Sequence, residues 1–293
     1  MSITAALVKE LRDVSGAGMM DAKKALTENN GDMDAAIDWL RTKGLATAAK
    51  KSNRTAAEGL VAVDVSDGTG VVIEVNSETD FVAKNQDFQN MVGSFAKCAL
   101  SVSDIDSLNG TLIADKKVSE ILTDKIATVG ENMSLRRMAK LSGDTVASYI
   151  HNSVAPGMGK IGVLVALKGD NSDFAKQVAM HVAAVSPLVV QAEDVPADVL
   201  SKESEIYTAQ AAESGKPADI VEKMVSGRLR KFIEEISLME QAYVKDPDVK
   251  VGKLVKDAGA EIVSFIRFEV GEGIEKKEED FAAEVAAQLK GND

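Results

Sequence analysis

A repeat in the first two thirds of the chain limits the folds open to it more than any other feature. Gly70–Val75 and Gly162–Leu167 are both short apolar runs of the kind that forms buried β-strands. Each run is followed by apolar residues at helical spacing, and Asp87-Phe88 in the first copy matches Asp173-Phe174 in the second. Two copies of a strand-and-helix unit predict an α+β fold, with a duplicated core and small antiparallel sheets.

Each copy also contains an earlier strand. Leu60–Val65 precedes the turn residues Asp67-Gly68, which predicts a β-hairpin with the first repeated run. Val146–Ile150 precedes the second run in the same way. The helix that follows each run carries a stripe of apolar residues. The stripes are Phe88, Met91, Val92, Phe95 and Ala99 in the first copy, and Phe174, Val178, Val182 and Val185 in the second.

The first copy differs from the second by an insertion between its strand and its helix. Matching positions lie 92 residues apart in the strands but 86 apart in the helices, so the first copy has six additional residues. They fall within Asn76–Gln86, where Phe81 follows Asp80. A single loop phenylalanine usually packs onto its own core, but Asp80 and Lys84 favour a ring that faces solvent. Because repeats share a scaffold, an element present in one copy alone is a candidate for function.

Residues 1–54 are predicted to form a separate bundle of three short helices. Apolar residues recur at helical spacing, with breaks at Gly16-Ala17-Gly18 and at Asn29-Asn30-Gly31 and an end near Gly44. The small and polar residues of 46–54 carry no apolar stripe and are interpreted as a linker.

Met19 and Met20 lie at the start of the second predicted helix. Adjacent residues of a helix point in different directions, so both methionines cannot face the core of the bundle. The flexible thioether side chain suits irregular cores and partner surfaces alike. We therefore expect one of the two to be exposed for contact with a partner.

Residues 187–240 are predicted to form an antiparallel pair of helices inserted into the second copy. One helix begins near Val195-Pro196, and the turn Ser214–Pro217 precedes the next. The second helix carries a seam with the spacing of a coiled coil. Its members are Val221, Val225, Leu229, Phe232 and Ile236. Glu261–Val270 is rich in β-formers and is predicted to be the strand that returns to the core.

These patterns divide the chain into six parts. They are the helical domain with its linker (1–54), the first core subdomain (55–141), the first part of the second subdomain (142–186), the helical hairpin (187–240), the return of the second subdomain (241–270) and a C-terminal helical module (271–293). In the last part, Phe281, Val285 and Leu289 predict an amphipathic helix. It would dock either on the chain's own core or on a partner.

Composition argues against several classes of protein. The formal net charge of −12 disfavours binding to nucleic acid, and it divides into +2 for residues 1–55 and −14 for the remainder. A single cysteine, Cys98, excludes an internal disulfide, and two histidines add too few ligands for most zinc sites. Since no apolar run approaches the roughly 20 residues that span a bilayer, and the N-terminus resembles no signal peptide, we expect a cytoplasmic protein without a membrane partner.

Signs of enzymatic chemistry are weak, and no cofactor or metal site is predicted. Gly157–Gly162 matches the dinucleotide pattern G-x-G-x-x-G, but it leads into a predicted strand where that site needs a helix. The sequence contains no G-x-x-x-x-G-K-[ST] loop. His151, His181 and Cys98 are too scattered to support a nucleophilic triad. His181 lies on an apolar helix and is predicted to be structural, whereas His151, at a strand end, is a candidate for a partner contact.

Several long motifs resemble the bacterial elongation factor Ts family. The first is Leu11-Arg12 with Gly16–Leu26, and the second is Glu74–Ala83. Further similar stretches are Gly130-Glu131-Asn132 with Arg136-Arg137, Met180–Ala184 and Ser264–Gly273. The similarity extends over essentially the whole chain.

The resemblance implies a guanine-nucleotide exchange factor, and not an enzyme. Members bind the GTPase elongation factor Tu with GDP, displace Mg²⁺ and accelerate GDP release, so that GTP can rebind. The resemblance implies a ubiquitin-associated-like fold for residues 1–54. It also implies that the element entering beside the partner's magnesium site is formed by Thr79, Asp80, Phe81 and Val82. Further implied partner contacts are Met19, Met20, Lys23, Val129, Gly130 and His151.

The role of the helical hairpin stays open at this point. The resemblance implies that residues 187–240 pair two complexes in some members, so homodimerisation through this segment is one hypothesis. It also implies that the C-terminal module binds the GTPase. The residues alone equally allow a non-catalytic scaffold or holdase that uses the hairpin and the amphipathic tail. Such a protein would bind many clients without any effect on a nucleotide.

Overall fold

Three helices open the part of the chain that the computed structural model describes, residues 3–213 and 217–275. They are α1 (Ala5–Ser15), α2 (Met19–Glu28) and α3 (Met33–Lys51). Thr4 and Asp32 cap α1 and α3 by accepting hydrogen bonds from backbone N–H groups of the first turn. Leu11 is fully buried in the small core that the three helices share. The three predicted helices are confirmed.

The first copy begins with the predicted hairpin. Strand β1 (Glu58–Ser66) pairs with β2 (Thr69–Ser77) through a turn at Asp67 and Gly68, both at positive φ. The next elements are α4 (Asp80–Ala83), α5 (Gln86–Ala99), α6 (Ile105–Gly110), β3 (Leu112–Ile113), β4 (Lys116–Lys117), α7 (Val118–Val129) and β5 (Met133–Ser142). All five apolar residues predicted for the stripe of α5 are buried.

The second copy repeats the arrangement of hairpin and helix. It begins with β6 (Thr145–Ala155), β7 (Met158–Lys168) and α8 (Ser172–Val185). Val178 and Val182 of α8 are buried, whereas Val185 is exposed, so the predicted stripe is confirmed except at its last member. The later elements are a 3₁₀ turn (Ala192–Asp194), α9 (Ala197–Ala212), α10 (Ala218–Ile236), a second 3₁₀ turn (Leu238–Glu240), β8 (Ala242–Tyr243), β9 (Asp246–Lys250), α11 (Val251–Asp257) and β10 (Glu261–Glu269).

Strands of both copies join in one six-stranded antiparallel sheet, which confirms the α+β class. The strand order is β10-β7-β1-β2-β5, and β6 pairs with β7. The copies meet where Val61 of β1 pairs with Gly159 of β7. Helix α5 packs on β1 and β2, whereas α8 packs on β6 and β7, so each copy keeps a core of its own. The pairs β3–β4 and β8–β9 form two separate small sheets.

Helix α3 is longer than predicted, and the expectation of an end near Gly44 followed by a linker is wrong. The helix continues to Lys51, because its alanines favour helix and its second half packs on α7. A Cβ atom at Gly44 would lie 3.4 Å from the Cβ atom of Ala127 in α7. Arg41 of α3 also pairs with Glu120 of α7. Residues 46–51 of the segment interpreted as a linker are therefore part of a helix that holds the N-terminal bundle against the first core.

Helices α9 and α10 form the predicted antiparallel hairpin between the second copy and its returning strand. They pack along each other, and Arg228 of α10 donates a hydrogen bond to Gln210 of α9 at 2.9 Å. The predicted seam residues of α10 are half-buried, so two helices alone leave this apolar face incompletely covered. Strand β10 is the predicted return to the core. The predicted C-terminal helix falls in 276–293, outside the described residues.

Candidate partner-binding site

Phe81 projects from a single helical turn that follows β2. Thr79 has extended backbone angles and precedes α4, which is only four residues long. Val82 and Ala83 lie in the core beneath this turn, with 6% and 2% of their surface exposed. Phe81 is 78% exposed, because consecutive residues of a helix point about 100° apart. The alternative in which the ring packs onto its own core is excluded, and Val82 is the residue that anchors the turn.

A carboxylate and an ammonium group lie beside the exposed ring. Lys84 Nζ is 2.6 Å from Asp80 Oδ2 and 5.7 Å from the centroid of the Phe81 ring. The hydrogen bond from Lys84, together with its positive charge, lowers the pKa of the Asp80 carboxyl. The tip of the loop therefore combines an accessible apolar ring with a carboxylate that is ionised at neutral pH.

The loop after α7 lies beside α4. Gly130 ends α7 with a φ of +83°, and Val129 before it is 39% exposed. The carboxylate of Glu131 accepts a hydrogen bond from the backbone N–H of Thr79 at 3.0 Å and another from its hydroxyl at 2.7 Å. The structure thus brings two of the predicted contact segments together, although they are far apart in the sequence.

Helix α2 carries the predicted contacts of the N-terminal bundle. Met19 is 61% exposed, Met20 is 78% exposed, and Lys23 is exposed as well. The prediction that the two methionines cannot both lie in the core is confirmed, and both face solvent because α2 fills the core with smaller residues and one leucine. These buried residues are Ala22, Ala25 and Leu26. Two flexible apolar side chains beside a lysine form a surface suited to a protein partner.

His151 belongs to the second copy, on strand β6, and not to the loops around Phe81. It is exposed, and its Nδ1 lies 3.4 Å from the hydroxyl of Tyr149. The next residue, Asn152, has a φ of +51°, so the strand is distorted directly after the histidine. His151 is thus accessible to a partner, as predicted, but at a different part of the fold from Thr79–Val82.

The glycines of the dinucleotide-like pattern lie in the β6–β7 hairpin and do not open a helix. Gly157 lies in the turn between β6 and β7, whereas Gly159 and Gly162 are inside β7. A Cβ atom at Gly162 would come within 2.5 Å of Val61 Cγ1, so the close approach of β1 requires glycine there. Within residues 3–213 and 217–275, no three histidine, cysteine or acidic side chains are grouped as a metal site needs, and no helix is long and apolar enough to cross a bilayer.

Glu74, for which the sequence predicts no role, is a fully buried charge in the sheet. Its carboxylate accepts hydrogen bonds from Gly271 N–H at 2.7 Å, Asn76 Nδ2 at 2.9 Å, Arg136 Nη1 at 3.1 Å and Arg137 Nε. Burial alone would raise the pKa of Glu74, but the hydrogen bonds from Gly271, Asn76 and Arg137 outweigh it and lower the pKa. A glutamate within an apolar strand was the signal for this cluster. Part of the Glu74–Ala83 motif therefore stabilises the fold.

The whole chain is similar to proteins of one family. Residues 78–272 match the family model described as Elongation factor TS. The chain is 64% identical to the elongation factor Ts of Dinoroseobacter shibae over 291 residues, which cover 99% of this chain and 100% of that protein. It is 60% identical to the elongation factor Ts of a Jannaschia species and 57% identical to that of Cereibacter sphaeroides, again over 99% of this chain and 100% of each relative.

The duplicated α+β core, the N-terminal helices and the inserted hairpin occur here in a chain that is 57–64% identical to these three elongation factors Ts. Together, the fold and these similarities define an elongation factor of protein biosynthesis. The chain belongs to the elongation factor Ts family.

Proposed function

We propose that this protein is a guanine-nucleotide exchange factor for elongation factor Tu, the GTPase that carries aminoacyl-tRNA to the ribosome. It binds elongation factor Tu with GDP, displaces Mg²⁺ and accelerates GDP release, so that GTP can rebind. It acts on its partner and is not itself an enzyme. The observation that supports this proposal best is the 78% exposed ring of Phe81, within a motif that resembles the magnesium-displacing element of the family.

The surface of α4 offers the chemistry that this role needs. Burying the ring of Phe81 in a partner contributes about 2–3 kcal/mol through the hydrophobic effect, enough to favour insertion of the loop. Asp80 brings a negative charge beside the ring, where it competes with the partner's groups for the cation and its waters. Loss of Mg²⁺ removes the positive charge that offsets the phosphates of GDP, so the nucleotide dissociates faster.

Contacts away from α4 give the complex its affinity in this proposal. Met19, Met20 and Lys23 bind the nucleotide domain of the partner from the N-terminal bundle. Val129 and Gly130 extend the surface around Phe81, and His151 reaches a second domain of the partner. Thr79 and Val82 act mainly through the loop that they anchor, since Thr79 is bonded to Glu131 and Val82 is buried.

Exchange is a linkage effect and needs no bond chemistry. If binding of this protein lowers the affinity of elongation factor Tu for GDP by a given factor, GDP must lower the affinity of elongation factor Tu for this protein by the same factor. The protein therefore binds nucleotide-free elongation factor Tu more tightly than the GDP-bound form. Such a protein works in the cytoplasm, where translation occurs, without direct contact with nucleic acid or membrane. The net charge of −12 agrees with the absence of a nucleic-acid surface.

The test is the release of a fluorescent GDP from elongation factor Tu at millimolar Mg²⁺. Catalytic amounts of the wild type should accelerate release, and Phe81→Ala should be much slower while it stays folded. Leu112→Ala is the matched control, because Leu112 is also an exposed apolar residue of the first core subdomain but lies outside the proposed site. No acceleration by the folded wild type would refute the function, and equal activity of Phe81→Ala would refute the role of the ring.

The helical hairpin supports a second, separate proposal, which is homodimerisation. Val221, Val225 and Leu229 of the half-buried seam line a largely apolar groove between the two helices. A second copy of the hairpin would cover it, as in a four-helix arrangement. Sedimentation of wild type and Leu229→Glu tests this pairing. A monomeric wild type that still captures many unfolded clients, with no effect on GDP release, would favour the alternative of a scaffold or holdase.

A further inference from the structure

Two carboxylates link the loop that carries Phe81 to the loop that follows α7. Glu131 accepts hydrogen bonds from the backbone N–H and the hydroxyl of Thr79 at 3.0 and 2.7 Å. In the opposite direction, the carboxylate of Glu78 accepts a hydrogen bond from the backbone N–H of Asn132. Each loop thus gives a carboxylate to the backbone of the other. These four residues, Glu78, Thr79, Glu131 and Asn132, are called the clamp below.

The clamp is also bonded to the end of α3. The side-chain amide of Asn132 donates to the carbonyl of Arg54 at 2.7 Å. Arg54 Nη1 lies 3.6 Å from the carboxylate of Glu78, and Lys51 Nζ donates to the carbonyl of Gly130. Three segments of the chain therefore meet at one place, directly before the turn that carries Phe81.

Local sequence alone cannot hold this turn. A single turn of helix is unstable in isolation, since few hydrogen bonds offset the ordering of its residues. The hydroxyl of Thr79, at the N-cap position of α4, makes no capping bond because it is used by Glu131. The conformation of α4 thus depends on the burial of Val82 and on the clamp. Hydrogen bonds to a carboxylate are about twice as strong as those between neutral groups. Glu131 therefore contributes a large part of the stability of this turn.

We propose that Glu131 is a positioning residue for Phe81, holding the ring in a fixed, exposed orientation before the partner binds. This inference rests on the exchange function proposed above. A ring that is already ordered loses less conformational entropy when it enters the partner. Without Glu131 the loop must be ordered during exchange, so less of the binding energy of the ring is available to displace Mg²⁺. The contacts made by Met19, Met20 and His151 are unaffected.

The first test examines the clamp in the free protein. Hydrogen exchange should become faster at the amides of Thr79, Lys84 and Asn85 in Glu131→Ala, since these amides are hydrogen-bonded within the loop. Glu131→Gln keeps one acceptor oxygen for Thr79 and should give intermediate rates. Glu261→Ala is the control, because Glu261 lies on the edge strand β10 and pairs with the exposed Lys168 at the end of β7. Unchanged exchange in Glu131→Ala would overturn the proposal.

The second test measures GDP release from elongation factor Tu at increasing concentrations of each variant. In Glu131→Ala the maximal rate should fall on the order of tenfold, as expected for loss of hydrogen bonds to a charged group. The half-saturating concentration should stay close to that of the wild type, and Glu131→Gln should recover part of the rate. A rise in the half-saturating concentration alone would overturn the positioning role, since it would make Glu131 an ordinary binding residue.

A double-mutant cycle separates positioning from general stability. If Glu131 acts through Phe81, then Glu131→Ala should have no further effect on the maximal rate once Phe81 is alanine. Additive losses would overturn the proposal. The outcomes also distinguish the exchange function from the positioning role of Glu131. A wild type that does not accelerate release refutes the exchange function, whereas an active wild type matched by Glu131→Ala refutes only the positioning role.

Discussion

Arg137 donates a hydrogen bond from Nε to the fully buried carboxylate of Glu74, and its guanidinium carbon lies 4.1 Å from the centroid of the Phe268 ring. Arg136 approaches the same carboxylate, and Gly271 donates its N–H to it. One buried charge therefore joins β2, β5 and the chain just after β10. Because several donors share it, the cluster stabilises the sheet at the edge that leads into the Phe81 loop.

Replacing Glu74 by glutamine should lower the free energy of unfolding by about 3 kcal/mol, because it removes the buried charge that pairs with Arg136 and Arg137 and leaves Arg137 with the half-exposed Glu272. The urea midpoint, followed by circular dichroism, measures this change. Glu261→Gln is the matched control, since the Glu261–Lys168 pair is about two thirds exposed on both sides, and we expect less than about 1 kcal/mol there. Equal midpoints for the two variants would contradict a stabilising role for the cluster.

His181 is a buried neutral histidine, as its place on an apolar helix predicted. Its Nδ1 accepts a hydrogen bond from the backbone N–H of Val244 at 3.1 Å, so the proton is on Nε2, which lies 2.9 Å from Gln241 Oε1. Burial lowers the pKa of His181, and the hydrogen bond to Gln241 offsets only part of this effect. Protonation of Nδ1 would place a second donor against the N–H of Val244.

Stability should therefore fall as the pH drops from 6.5, the ordinary histidine value, toward the lower pKa of folded His181. In this range the unfolded chain binds a proton that the folded protein does not, so acid favours unfolding. Urea midpoints at about pH 7.5 and pH 5.5 measure the effect. His181→Gln should be less stable at the higher pH but less sensitive to acid. A variant as sensitive as the wild type would assign the effect to other groups.

Elements with a local pattern could be predicted from the sequence, whereas those held by distant contacts could not. The hairpin β1–β2 has a turn signal and two apolar strands, and α5 has a stripe, so each was predicted correctly. The second half of α3 has no stripe, and its helical state depends on the contact between Gly44 and α7. No rule of local spacing contains that contact, which explains why a linker was predicted there.

The candidate site shows the same limit. The residues around Phe81 allowed its ring either to pack on the core or to face solvent. The burial of Val82, the next residue, decides in favour of solvent. The bond between Thr79 and Glu131 joins residues 52 positions apart, so no pattern in the sequence could assign it. The motif containing Glu131 indicated the family but not the role of that residue.

Gly130→Ala should destabilise the protein by about 1 kcal/mol, because a φ of +83° is unfavourable for a residue with a Cβ atom. No described atom lies within 4 Å of the added Cβ, so backbone conformation alone causes the loss. Gly227→Ala is the opposite control, since Gly227 lies inside α10 with similar space. It should raise stability by about 0.5–1 kcal/mol. The midpoint of thermal unfolding should thus fall in Gly130→Ala and rise in Gly227→Ala. A shift in the same direction for both variants would contradict this account.

Gly44→Leu should detach the N-terminal bundle from the first core without unfolding it. A Cβ atom at this position already lies 3.4 Å from Ala127, so a larger side chain forces α3 away from α7. The bundle keeps its own buried core around Leu11, and its helices should remain. Limited proteolysis with trypsin should then cut faster after Lys51, at the end of α3.

Ala46→Leu is the control for this change, because Ala46 is exposed on the same helix. It introduces the same leucine side chain at an exposed position, without a clash, so cleavage should match the wild type. Since the end of α3 is also bonded to the clamp through Arg54 and Asn132, only Gly44→Leu should raise the half-saturating concentration in GDP release. Fast cleavage with unchanged exchange would show that the bundle binds the partner equally well without a fixed position.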